Sequence, residues 1–398
     1  MVTLGDLRRL GRWARDCDPD AAALDRAAEA QRRILDYEIP LYIVESDDES
    51  ALRGAFARIN STGARMRADE VFHALFHDAA TGSFDLTALG RVCEQQGFGV
   101  PPRSELLKVV LAVSGLEPTR RPERLAEQDL RRVAAQVDVE NALMRAVDFM
   151  RDWCGVPHAR AIPYPVVMFI LAKWFHAFPD TDDEALELLR RWFWRGAMSG
   201  AHARAAVSKM RNQVAIIPDA DRASMTTQRE ALLAMLGEVG REPPRGTWEL
   251  EAFNHRSGRS RVETLALLSL SPRASEGEVL DGGLLFHGER AAREVFPVAG
   301  SPARSLFRTA ANRVLLDEAA TSLADVIRMW EGPAFAAHRR SHLISDAAFD
   351  ALTRDDADGF LRERSADVRK VVASFVSAKC RWDETDVFPA AWYSDDVD

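Results

Sequence analysis

Residues able to do chemistry fall into a few groups along the 398-residue chain. His73 and His77 stand four apart, with Glu70 one turn earlier. On a helix the three share a face, and two imidazoles with a carboxylate can hold a divalent metal. A zinc hydrolase of the His-Glu-x-x-His type also needs a glutamate base, and Ala74 occupies that place, so two packing histidines are the plainer reading and no metal or cofactor is expected. His338 and His342 repeat the spacing, but Arg339 and Arg340 between them would repel a cation. Arg190, Arg191 and Arg195 surround Trp192, Phe193 and Trp194. Guanidinium groups beside aromatic rings can hold a base or a phosphate. The competing reading is a core helix whose arginines pair with nearby acids. Three consecutive rings are not expected to face one core, which puts at least one at an interface. The last group is Arg256, Arg259 and Arg261 within a Gly/Pro-rich segment running from Pro243 to Arg261. It reads as an exposed loop, either phosphate-contacting or simply solvated.

Charge tempers both basic groups. The formal net charge is −9, so the molecule as a whole does not attract nucleic acid. Of 52 basic residues only Lys108, Lys173, Lys209, Lys370 and Lys379 are lysine, leaving 52 − 5 = 47 arginines. An arginine bias this general discounts any single cluster. Cys17, Cys93, Cys154 and Cys380 lie far apart with no Cys-x-x-Cys, which argues against a zinc site or a disulfide framework and suits a reducing cytoplasm. The N-terminus lacks the continuous apolar core of a signal peptide. Ile162 to Phe178 is the most apolar stretch, yet it is short and carries Lys173 and His176. It reads as a buried helix, not a membrane span.

The elements that must position these groups are mostly helical. Periodic apolar residues predict helices over 20–35, 86–93, 104–114, 128–154, 164–178, 184–198, 219–239, 262–270, 310–316, 323–330 and 360–378. The run Leu35 to Glu45, rich in Ile, Val and Tyr, reads as a buried strand. A helix bearing Leu52, Phe56 and Ile59 follows, then a turn at Asn60 and Gly63, then a second helix from about Ala68. The fold class expected is mainly α: multi-helix bundle domains, one or a few short strands near the N-terminus, and room for strands in the C-terminal third.

The run YEIPLYIVE, followed by FARINSTGARMRADEVFHALF, resembles the large family that supplies the N-terminal domain of GmrSD-type restriction endonucleases. Phe56, Arg58, Ile59, Asn60, Gly63 and Glu70 match its Phe-x-Arg-Ile-Asn-x-x-Gly and following Glu pattern. Met66 stands in for a leucine, and Arg67 replaces the usual Ser/Thr cap. In that motif Arg58 and Asn60 are expected to fix the turn and its helix and not to serve a site. Family members usually begin with a ParB-like domain bearing Asp-Gly-Gln-Gln-Arg, which this sequence does not contain. The expected division is 1–118, a remnant of the restriction-family N-terminal domain; 119–275, a helical bundle; and 276–398, a C-terminal helical domain related to HNH-like nucleases.

Relatives with that last domain carry an Asp/His-His-Ile-Phe-Pro run whose histidine is a general base beside a metal. The corresponding stretch here is Arg293-Glu294-Val295-Phe296-Pro297, with Asn312-Arg313-Val314 following. On this alignment Glu294 replaces the histidine, a poor base at neutral pH beside a guanidinium. Asn312 is then structural. The resemblance implies a restriction or anti-phage defence protein acting as a DNA- or partner-binding helical scaffold without a complete catalytic site, and in no membrane. Two alternatives stand beside it: a metal-dependent nuclease using His73 and His77, or a truncated gene product of an active NTPase or nuclease whose start lies upstream.

Overall fold

The computed structural model describes residues 13, 15–16, 19–37, 43, 45, 52, 55, 69–70, 85–120, 125, 127–134, 138–203, 207–240, 242–243, 248–287, 291–300, 305–316 and 322–387. The chain divides into two compact units, Met1–Arg65 and Met66–Asp398. The first contains helix α1 (Ala21–Leu35), started by Asp20, whose carboxylate accepts from the Ala23 amide. Leu35 closes this helix, so the expected strand does not begin there. Most of the remaining strand and turn positions lie outside the described residues.

The second unit is mainly α, as its periodicity predicts. Helices α2 (Leu86–Gln95), α3 (Arg103–Val113), α4 (Glu127–Ala134) and α5 (Val139–Asp148) lead to α6 (Val166–Ala177). Ten of the twelve α6 residues are buried, as expected of a helix apolar on every side. It packs chiefly against α5 and α3. The single long helix expected over 128–154 is instead α4, α5 and a π-helical turn, Phe149–Trp153. Such a turn inserts a residue into the helical ladder and turns the chain.

Next come α7 (Asp183–Ser199), α8 (Val207–Ile216), α9 (Met225–Val239), α10 (Gly258–Leu268) and α11 (Gly282–His287). Asp182 caps α7 through the Ala185 amide, and Gly200 ends it with φ 75°. Strands β1 (Ala292–Glu294) and β2 (Arg313–Leu315) pair antiparallel, Glu294 opposite Arg313. Residues 310–316, expected as a helix, form a 3-10 turn and β2. So short an apolar run suits either state, and pairing with β1 decides it. The order then continues through α12 (Leu323–Arg328), α13 (Ala336–Ser341), α14 (Asp346–Thr353) and α15 (Ala357–Cys380).

Two apolar cores result. The larger joins α2, α3, α5, α6, α7, α9 and α10, and the smaller gathers Val314, Ile327, Trp330, Phe349 and Phe360 around the hairpin. Helix α15, 24 residues and about 36 Å long, belongs to both. Phe360 and Leu361 enter the smaller core, while Val368, Val372 and Cys380 enter the larger. Among the described residues no helix is long and apolar enough to cross a membrane.

Candidate functional site

Phe56, Arg58, Asn60, Gly63, His73 and His77 lie outside the described residues. Glu70 is helical and exposed. His338 and His342 are both buried and pack against the Trp330 ring, at 5.7 and 5.1 Å. His342 Nε2 lies 2.9 Å from the Arg273 carbonyl oxygen, and burial pushes its pKa down to about 4. A neutral, buried imidazole hydrogen-bonded to a carbonyl serves packing. Arg339, between the two, donates to the carbonyls of Trp330 and Gly332.

The basic aromatic group on α7 is interior. Trp192, Phe193 and Trp194 are 0%, 1% and 0% exposed, so the expectation of an interfacial ring fails. The reason is that α7 is enclosed on several sides. Trp192 Nε1 donates to Gln213 Oε1 of α8 at 3.0 Å, while Trp194 meets Phe375 of α15 edge-on at 5.1 Å. The guanidinium groups of Arg191 and Arg195 face the segment after α15. Arg195 Nε and Nη2 donate to the carbonyls of Cys380 and Arg381, both at 2.8 Å, and Nη1 donates to Asp386. Arg191 pairs with Glu187, Glu384 and Asp386, and Arg190 with Glu187 at 2.7 Å. Asp386 and Arg195 have side chains only 2% and 1% exposed. Arg191 and Arg195 thus act as internal braces that hold 380–386 against α7.

The second basic group is ordered too. Residues 243–261, expected as one loop, contain the start of α10. Ser257 Oγ accepts from the Ser260 amide at 3.1 Å, and the helix runs from Gly258. A Cβ on Gly258 would lie 2.4 Å from the Tyr164 ring, so glycine here admits close packing. Arg259 stacks on Trp248 at 4.0 Å, and Arg261 Nη1 donates to the Ile162 carbonyl at 2.8 Å. Arg256 is exposed at the turn before the helix. Of the three, Arg256 alone points its charge to solvent.

The hairpin is held by Asn312. Its Oδ1 accepts from the Phe296 amide at 2.9 Å, and its Nδ2 donates to the Phe296 and Phe307 carbonyls at 2.9 and 2.8 Å. Both donors and one acceptor lone pair of this buried amide go into shaping the connection between β1 and β2. Glu294 forms a cross-strand ion pair with Arg313 at 3.2 Å. Arg364, 1% exposed on α15, reaches under the hairpin and donates to the carbonyls of His342, Ala310, Ala311 and Arg313. Burial lowers its pKa to about 9, so it remains a cation at neutral pH.

Several buried ionisable residues belong to no sequence motif, among them Glu263 and Lys173. Glu263 on α10 is 1% exposed and accepts from Trp248 Nε1 at 3.2 Å. Burial raises its pKa to about 7 against the pull of that bond and of Arg259. Lys173 is buried in the middle of α6. In both cases the available signal was one charge inside an otherwise apolar run. Comparison with known protein families and with curated proteins finds no match to this chain.

Proposed function

We propose that this chain is a GmrSD-related restriction or anti-phage defence protein, a helical scaffold that contacts DNA or a partner subunit without a complete catalytic centre of its own. The C-terminal hairpin carries the reading. Its order of strand, long connection, strand and helix α12 agrees with a nuclease-like ancestry, and Asn312 ties the connection internally. Where that likeness calls for a histidine base, Glu294 is engaged with Arg313. General base catalysis needs a group free to take the proton of the attacking water, and Glu294 must first leave its ion pair. DNA contact falls to exposed charges such as Arg256, because Arg191 and Arg195 are occupied by the 380–386 segment.

Two assays on the full chain test this. Anisotropy titrations with a fluorescent duplex should show binding that weakens steeply between low and moderate salt, the mark of phosphate contacts. Plasmid nicking with and without Mg²⁺ or Mn²⁺ should show no cleavage. Metal-dependent cleavage abolished by His73→Ala would replace the scaffold reading with the nuclease alternative. Absence of duplex binding at low salt would remove DNA and leave a partner protein.

A further inference from the structure

A cavity of about 320 Å³ opens between the end of α3, α4, α6 and the 218–221 turn. That volume is at the lower end of small-molecule sites. Its lining includes Ser114, Gly115, Arg132, Lys173 and Asp219. The Lys173 side chain is 10% exposed, and its Nζ lies 3.8 Å from Asp219 Oδ1. It donates to the Val214 carbonyl at 3.1 Å, which uses one of three ammonium hydrogens. Ser114 is 6% exposed, and its Oγ has no hydrogen-bond partner among the described residues. A buried hydroxyl left unsatisfied is unfavourable, and a ligand oxygen would relieve it.

Gly115 adopts φ 72°, a left-handed conformation natural to glycine. A Cβ there would fall 3.0 Å from Asp219 Oδ1 and 3.3 Å from Arg132 Nη2. The bare glycine therefore lets a guanidinium and a carboxylate approach the same face of the cavity. Arg132 and Lys173 bring two positive charges to the cavity and Asp219 and Asp221 two negative ones, so an anion must share the two cations with Asp219. A tetrahedral phosphate has enough oxygens to do so while also reaching the Ser114 hydroxyl. Asp219 and the neighbouring Asp221 line the same cavity, and their carboxylates offer acceptors to a ligand's hydroxyl groups.

We propose that this cavity binds a small phosphomonoester bearing hydroxyl groups, with its phosphate on Arg132, Lys173 and Ser114 Oγ and its hydroxyls on the Asp219 side. The site stands apart from the DNA reading, and neither depends on the other. Calorimetric titration of the full chain with glycerol 3-phosphate tests it, against glycerate (a carboxylate on a similar skeleton) and glycerol. Glycerol 3-phosphate should bind with Kd on the order of 0.1 mM. Glycerate should bind about tenfold more weakly, and glycerol should give no saturable heat. Arg132→Gln, at an exposed position that leaves folding intact, should weaken glycerol 3-phosphate about tenfold, since it removes a charged hydrogen bond. Ser114→Ala should weaken it several-fold. Absence of saturation at about 10 mM, equal affinity for glycerate, or unchanged affinity in both variants would each overturn the assignment.

Discussion

Two interior arginines solve the same problem by different means. Arg195 sits between α7 and the segment after α15, sharing its charge with Asp386 and capping the Cys380 and Arg381 carbonyls. Arg364 sits under the hairpin and makes its hydrogen bonds to carbonyls alone, from His342, Ala310, Ala311 and Arg313. The first is a buried ion pair, the second a buried cation solvated by backbone dipoles. A guanidinium suits both because its planar fork presents five donors and never needs to lose its proton. The difference lies in what surrounds each. Asp386 belongs to the non-helical segment that follows α15, whereas the carbonyls around Arg364 belong to a hairpin, a helix end and a 3-10 turn that are packed in a core. One set of partners can turn toward water when the arginine is lost. The other has nowhere to go.

The comparison breaks most sharply at Arg364→Met. Four carbonyls lose a donor, that of Ala310 keeping a second one in the Arg313 amide, in a site where each unsatisfied group is costly, and a loss of about 4 kcal/mol or more is expected. Urea unfolding measures it, and near-ultraviolet circular dichroism should report looser packing around Trp330. A loss below about 1 kcal/mol would show that the hairpin does not depend on this brace.

Acid should strain the Arg364 region next. His342 has its pKa lowered to about 4 by burial, with Arg364 and His338 adding repulsion. The unfolded value is near 6.5, so the unfolded chain binds a proton that the folded chain refuses. Stability is therefore fully present above pH 6.5 and falls as pH drops toward 4, by about 3 kcal/mol from this one group. His342→Gln keeps a donor for the Arg273 carbonyl and should flatten the slope across that window. A variant with the wild-type slope would move the titration elsewhere, His202 being the next candidate because burial takes it to about 3.

Arg195→Met should cost less, about 2 kcal/mol, because the 382–387 segment can carry Asp386 into water. Paired with Asp386→Asn in a double-mutant cycle, it should show a coupling of about 1–3 kcal/mol. Additive effects would mean that the two side chains are neighbours without being partners. A cost matching Arg364→Met would erase the distinction between the regions.

Helices were legible wherever periodicity and caps agreed, as at α7 with Asp182 and at the wholly apolar α6. The failures have separate physical causes. β2 was unreadable because its pairing with β1 and the Asn312 bonds to Phe296 come from residues 16 to 23 positions away, beyond a local window. The start of α10 was hidden by Gly258 and three arginines, although Ser257 and Ser260 formed a usable capping signal. The tryptophans of α7 were misplaced by the assumption that a helix faces one core, when this one is enclosed by α8, α9, α15 and the 380–386 segment. Of the candidate basic groups, composition already warned that arginine clusters carry little information. What it could not say is that most of those charges would be spent inside the protein.

Arg256 offers the smallest expected change in stability and the clearest separation of fold from function. Its side chain is exposed at the turn before α10, while Arg259 and Arg261 hold that turn against Trp248 and Ile162. Arg256→Ala should leave the urea midpoint within about 0.5 kcal/mol of wild type, as for a surface substitution. If the turn contacts a phosphate, the same variant should weaken duplex binding at every sequence tested and reduce the salt slope by about one. Arg261→Ala should do the reverse, lowering stability through the lost bond to the Ile162 carbonyl before it touches affinity. Affinity unchanged in Arg256→Ala would detach this turn from DNA. Affinity lost together with stability would make Arg256 one more brace, in the company of Arg195 and Arg364.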